Sequence, residues 1–402
     1  MIRPAEAERR SAVKRCIVLL VLLLSAGLLL AGCSTARSYT SITTHVDQRV
    51  TEDDPSVLRA ETYQELVSSI LHFVSEGEES GTIRLYQYTG DVESDLEAAC
   101  QEVLEEDPLG AFALDSIEHE YSRIVSYYEC EFTLVYRRTA EEIDAVTTAA
   151  STVSFREQLQ QAMDTFSERL AIRTSLSVSE ESVLEMVTEY YYETPSLAVG
   201  FPSVTVNFFG GEDSTQKIVE IEFGYTQGSD ACAEMQAELL NTAYTLLTEL
   251  NAASADPAGL WSVYRTLAEY PIYSGISTSS AYRFLVNQKG SQQGASLSLL
   301  LLCQLMNFDA YYVEGSSIEY EDHSWVMVQI GDVWCHMDLS LADDQNSFLH
   351  SDDEMTALGY VWDQEAYPAC EGLSASEAAE SADQSGQEDT AADDTALSEP
   401  TD

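Results

Sequence analysis

The chain has 402 residues, 69 of them acidic and 19 basic, for a formal charge of -50. A field of that sign repels nucleic acid and anionic lipid surfaces, so no nucleic-acid partner is expected. It suits a protein that meets cationic partners or divalent ions, but there is no D-x-D-x-D-G calcium loop, and neither a metal nor another cofactor is expected.

In chain order, residues 1–15 form a basic segment, residues 16–30 an apolar one, and Leu30-Ala31-Gly32 places small residues directly before Cys33. This pattern resembles the bacterial lipoprotein signal. The resemblance implies that residues 1–32 are a signal peptide, that the Cys33 thiol is diacylated, and that the mature chain is anchored by lipid on the outer face of the cell membrane. A lone membrane-spanning anchor is the alternative, but the apolar stretch is about 16 residues where a span needs ~20. Residues 1–32 hold five bases and two acids, so the mature chain keeps 14 basic and 67 acidic residues, a charge of -53. Residues 33–57 are polar and turn-rich, as a flexible tether would be.

Two similar units are expected next. Residues 58–150 read as a helix over about 58–76, the strand TIRLYQYT, an amphipathic helix ending at Asp107-Pro108, and two strands. Residues 151–252 repeat that order, with a helix over about 153–168, the strand LAIRTSLS, a helix ending at Thr194-Pro195, two strands, and a connecting helix over about 230–252. Cys130-Glu131-Phe132 aligns with Ile221-Glu222-Phe223 at an offset of 91. Nothing in these units gathers His, Cys or paired carboxylates. Tyr190, Tyr191 and Tyr192 read as half-buried surface rather than a ligand cage.

Residues 253–370 begin with a helix over about 257–268, started by Asp256-Pro257. KGSQQGAS then precedes an apolar helix from Leu297 to Met306, and FDAYYVEG reads as a strand. IEYEDHSWVMVQI and GDVWCHMDLS form a hairpin closed at Gly331-Asp332. In order and separation these motifs resemble the core of the transglutaminase-like (papain-like cysteine hydrolase and acyltransferase) superfamily. There a glycine-flanked Cys starts a helix, an HxW strand supplies a base, and a W-x-x-x-D strand supplies the acid that orients it. The resemblance implies an α+β fold with His323 as base, Asp338 as orienting acid, and Gln292 standing where the Cys belongs.

Acyl transfer through a thioester needs a thiolate made by a neighbouring imidazole. A carboxamide has no proton ionisable near neutral pH. Replacements are poorly placed. Cys303 lies eleven residues along the helix, ~16 Å from its start, and Cys335 should point to the strand face opposite Asp338. Ser291 and Ser296 would need the base aimed at a different atom. With no thiolate to serve, His323 is expected to bond Asp338 and Gln292 as a satisfied buried residue. His336 alternates onto the face of Asp338, and Glu319, Glu321 and Asp322 form a solvated loop edge.

Six cysteines remain beyond Cys33, at 100, 130, 232, 303, 335 and 370, without CxxC spacing or a disulfide framework. Residues 371–402 hold ten acids and no base, too charged to bury a core and so expected to be disordered. The reading is a catalytically inactive binding or scaffolding module at the cell envelope, with an unidentified peptide, wall or protein partner. The alternative is an active peptidase or acyltransferase using a displaced nucleophile.

Overall fold

The computed structural model describes residues 49–50, 57–273, 279–341 and 349–373. The signal peptide, Cys33, most of the tether and the acidic tail beyond 373 lie outside the described residues. Among the described residues no helix is long and apolar enough to cross a membrane.

The first unit runs β1 (Arg49–Val50), β2 (Leu58–Ala60), α1 (Tyr63–Glu76), β3 (Ser80–Tyr86), α2 (Val92–Gln101), a π-turn (Glu102–Glu106), α3 (Pro108–Ala113), β4 (Leu114–Arg123) and β5 (Tyr127–Tyr136). Its sheet order is β1-β2-β3-β5-β4. After a short helix, α4 (Ala140–Asp144), the second unit runs β6 (Thr147–Ala149), α5 (Thr152–Asp164), β7 (Arg169–Thr174), α6 (Glu180–Glu193), a 3-10 turn (Pro195–Leu197), β8 (Ser203–Phe209) and β9 (Lys217–Gly224). Its order is β6-β7-β9-β8. In both units the helix-preceding strand (β2, β6) is parallel to the next one (β3, β7), and the pairings that follow are antiparallel.

The register corrects the alignment. Leu58 pairs with Ile83 and Ile83 with Cys130, while Thr147 pairs with Ile172 and Ile172 with Val219, so all three strands repeat at an offset of 89. Thr62 and Ser151, which cap α1 and α5, are also 89 apart. The offset of 91 is two residues out. A two-residue slip keeps every side chain on its own sheet face, so alternation alone cannot detect it. The helix expected from 58 starts at Tyr63, because Leu58–Ala60 pairs into the sheet and the Thr62 hydroxyl accepts the Glu65 N–H. The helix expected to reach 168 ends at Asp164.

Helix α3 of the first unit packs on the outer face of the second sheet, with Phe112 clustered on Ala171 and Ile218. On that face the buried Glu220 carboxylate lies 2.8 Å from Arg138 and 3.2 Å from Arg169, and accepts a bond from Asn207 Nδ2 at 3.2 Å. A buried carboxylate persists only with such partners.

The rest of the chain forms α7 (Ser229–Glu249), α8 (Pro257–Ala268), α9 (Ala281–Val286), α10 (Gln292–Leu305), β10 (Ala310–Ser316), β11 (His323–Ile330), β12 (Val333–Met337), a 3-10 turn (Leu339–Leu341), α11 (Asp352–Ala357) and β13 (Val361–Trp362), with sheet order β12-β11-β10-β13. The fold is α+β. Two boundaries drawn from the sequence are not breaks in the structure. Tyr191 and Leu197 of the second unit share one core with Leu299, Leu302 and Val326, so packing runs through 252/253. Leu373 donates its N–H to the Leu349 carbonyl at 3.0 Å, so the fold continues past 370.

Candidate functional site

Helix α10 and the β11–β12 hairpin position the site. Ser291 caps α10, its hydroxyl accepting the Gly294 N–H at 3.1 Å. Gly294 allows the start of the helix to lie against α9, since a Cβ there would meet the Ser280 carbonyl oxygen at 2.6 Å. From Ala295 to Cys303 every residue of α10 is buried, as an all-round apolar helix must be. Its partners Val326, Val328, Cys335 and Met337 line one face of the sheet. The hairpin turns at Gly331, whose φ of 59° suits glycine. Residues 323, 325, 336 and 338 lie on the other face.

Gln292, the first residue of α10, does not bond His323. Its Oε1 accepts the N–H and the hydroxyl of Ser324, each at 3.0 Å, and its Nε2 donates to the Ser324 carbonyl. The expected Gln292–His323 bond is therefore replaced by a two-point contact with the peptide groups next door. Register explains the contact. The last β11–β12 pair is Val326 with Met337, and beyond it the chain turns away through Leu339–Leu341. Ser324 would otherwise have an unpaired backbone edge. Only a side chain that both donates and accepts can fill it, which a carboxamide does. Ser296 joins the network, its hydroxyl donating to the Ser324 carbonyl at 2.8 Å.

His323 is 4% exposed and bonds Asp338 Oδ2 through Nε2 at 2.5 Å. Tyr360 donates its hydroxyl to the same oxygen at 2.7 Å, and the Ser340 N–H donates to Oδ1 at 2.8 Å. Burial alone would push the Asp338 carboxyl up. The hydrogen bond from His323, with the Tyr360 and Ser340 donors, holds it below the ordinary carboxylate range. An ionised carboxylate only accepts, so Nε2 carries the His323 ring proton. Nδ1 is buried, with no hydrogen-bond partner among the described residues. The ring lies parallel to Tyr320 at 5.5 Å between centroids and edge-on to Tyr360 at 5.4 Å.

On the neighbouring strand, His336 forms a second pair that sequence reasoning does not anticipate. Its Nδ1 accepts the Trp325 indole N–H at 2.9 Å, and its Nε2 bonds Asp352 Oδ1 at 2.9 Å. It is fully buried beneath Trp362 instead of lining a cleft. Burial pushes its pKa down despite Asp352 beside it. His336, Asp352 and Cys370 offer ligand atoms within 4.8 Å of one another. A metal on Nε2 would displace the proton that the accepting Nδ1 and Asp352 both require there, so this donor set suits a hydrogen-bond relay better than an ion.

No described thiol is activated. Burial pushes Cys100, Cys130, Cys303 and Cys335 up to about 12, and raises Cys232 and Cys370 as well. All six are free, and Cys303 and Cys335 sit in the core on the α10 side of the sheet.

No known family model matches the sequence, and no curated protein matches it. Among solved structures the chain is similar to a TGase, at 11% identity and a TM-score of 0.24, over 60% of this chain and 68% of that one. It is also similar to a candidate cysteine protease from Cytophaga hutchinsonii, at 12% identity and a TM-score of 0.25, over 40% of this chain and 66% of that one. The α+β arrangement rests on the elements and registers above, because superpositions this loose carry no argument.

Proposed function

We propose that this is a lipid-anchored protein of the cell envelope whose transglutaminase-like module binds a partner without turning it over. The observation that carries the reading is the engagement of Gln292: the side chain at the nucleophile position is an amide with both ends bonded to Ser324. It supplies no attacking atom. The buried, unactivated thiols and the bonded hydroxyls of Ser291 and Ser296 speak against a displaced nucleophile. The pattern ending in Cys33 supports the anchor, and the acidic surface supports a soluble body held outside the membrane.

The test is acyl trapping. Native chain incubated with peptide and amide substrates is digested and searched for a covalent acyl adduct on any side chain. The expected result is none, and amidase or transamidase turnover that disappears in His323→Ala would end this reading. Mass analysis of the native amino terminus checks the Cys33 anchor separately.

A further inference from the structure

The turn joining β4 to β5 is built from Val125 and Ser126, and it closes through the Ile124 N–H donating to the Tyr127 carbonyl at 2.8 Å. Neither Val125 nor Ser126 has a positive φ, so the turn's backbone calls for no particular residue. The valine serves no backbone purpose, and here it packs on nothing: Val125 is 105% exposed and Ile124 37%. Residues 121–128, YSRIVSYY, carry one base and no acid in a chain of charge -50. Behind the apolar tip the Tyr121 and Tyr128 rings lie 6.4 Å apart, and the Arg123 guanidinium lies 5.7 Å over Tyr128. Among the described residues no carboxylate pairs with Arg123. Aliphatic side chains foremost, then tyrosines and a cation, is the order in which a polypeptide meets acyl chains and then headgroups.

We propose that the β4–β5 tip is a membrane-contacting element that dips into the headgroup layer of a phospholipid bilayer. The inference rests on the Cys33 anchor, which brings the tip to a bilayer and multiplies, through effective concentration, the weak affinity that the two aliphatic side chains have by themselves. The body's acidity sets the lipid, which is zwitterionic, since an anionic surface repels the remainder of the chain.

The test uses the chain from residue 33 onward, which contains every described residue, carrying Cys33→Ser so that neither signal nor lipid contributes. Flotation with phosphatidylcholine vesicles is expected, falling about tenfold or more in Ile124→Ser/Val125→Ser. In Val125→Trp, added indole emission quenched by brominated lipid is expected. Flotation indifferent to the serine pair overturns the proposal, as does its absence together with unquenched Val125→Trp emission. Self-association in sedimentation that the serine pair abolishes, without flotation, assigns the tip to a second copy instead. A native chain without lipid would sink the anchor reading alone, whatever the Cys33→Ser chain does with vesicles.

Discussion

Two His–Asp pairs share one face of the C-terminal sheet, with Trp325 lying 6.0 Å from one imidazole and 6.2 Å from the other. In the His336 pair both ring nitrogens are occupied, by an indole donor and by Asp352. In the His323 pair one nitrogen is held by Asp338 and the other has no hydrogen-bond partner among the described residues. The difference lies in how completely each ring is satisfied by its surroundings. An unpaired buried nitrogen costs stability, about 1–3 kcal/mol for a typical polar group. Among the described residues the two imidazoles therefore differ in how fully their ring nitrogens are paired.

The comparison breaks most readily at the acids. Asp338 takes three donors in a dry environment, so Asp338→Ala is expected to cost about 3–5 kcal/mol in urea unfolding. If this change is tolerated within about 1 kcal/mol, Asp338 is not the buried acceptor that its three donors depend on. Gln292→Cys comes next. It removes the acceptor of the Ser324 N–H and one of the two donors to its carbonyl, Ser296 remaining, and should cost about 1–3 kcal/mol. In the frame that the motif resemblance implies, the new thiol should alkylate as a cysteine of lowered pKa, and less readily when His323→Ala is added. Titration like a free cysteine would refute the preserved frame.

A smaller effect distinguishes the pairs by pH. His336 has a folded pKa below its ordinary 6.5, so the unfolded chain binds that proton first. Its contribution to stability is complete above 6.5 and is lost as the pH falls from there through the folded value. Denaturant midpoints should therefore drop on mild acidification in the wild type and drop less in His336→Gln. Asp338, whose pKa is also depressed, contributes stability above the ordinary carboxylate range and loses it at more acid pH. The smallest effect belongs to Asp352→Asn, because its side chain is 28% exposed and an amide can still accept from His336. About 1 kcal/mol or less is expected. A cost matching that of Asp338→Ala would mean that the two pairs do not differ in kind.

Much of the site is legible in local pattern. The buried helix from Leu297, the hairpin at Gly331-Asp332 and the Cys335 side chain turned away from Asp338 all follow from periodicity and turn chemistry. The duplication is legible as an order of elements, but its offset is not, because alternation has a period of two and an error of two leaves the pattern unchanged. The second His–Asp pair stays hidden because Asp352 lies 16 residues beyond His336 with no motif joining them.

The sequence by itself determined the residue types that chemistry depends on: an amide at 292, an imidazole at 323, a carboxylate at 338, and cysteines on apolar segments. Tertiary structure alone decided the bonding. Gln292 turned to Ser324 instead of His323, the second unit merged its core with the C-terminal module, and Val125 was left bare at a hairpin tip. Each outcome depends on where strands stop and which elements meet across long chain separations, and such contacts leave no trace in local pattern.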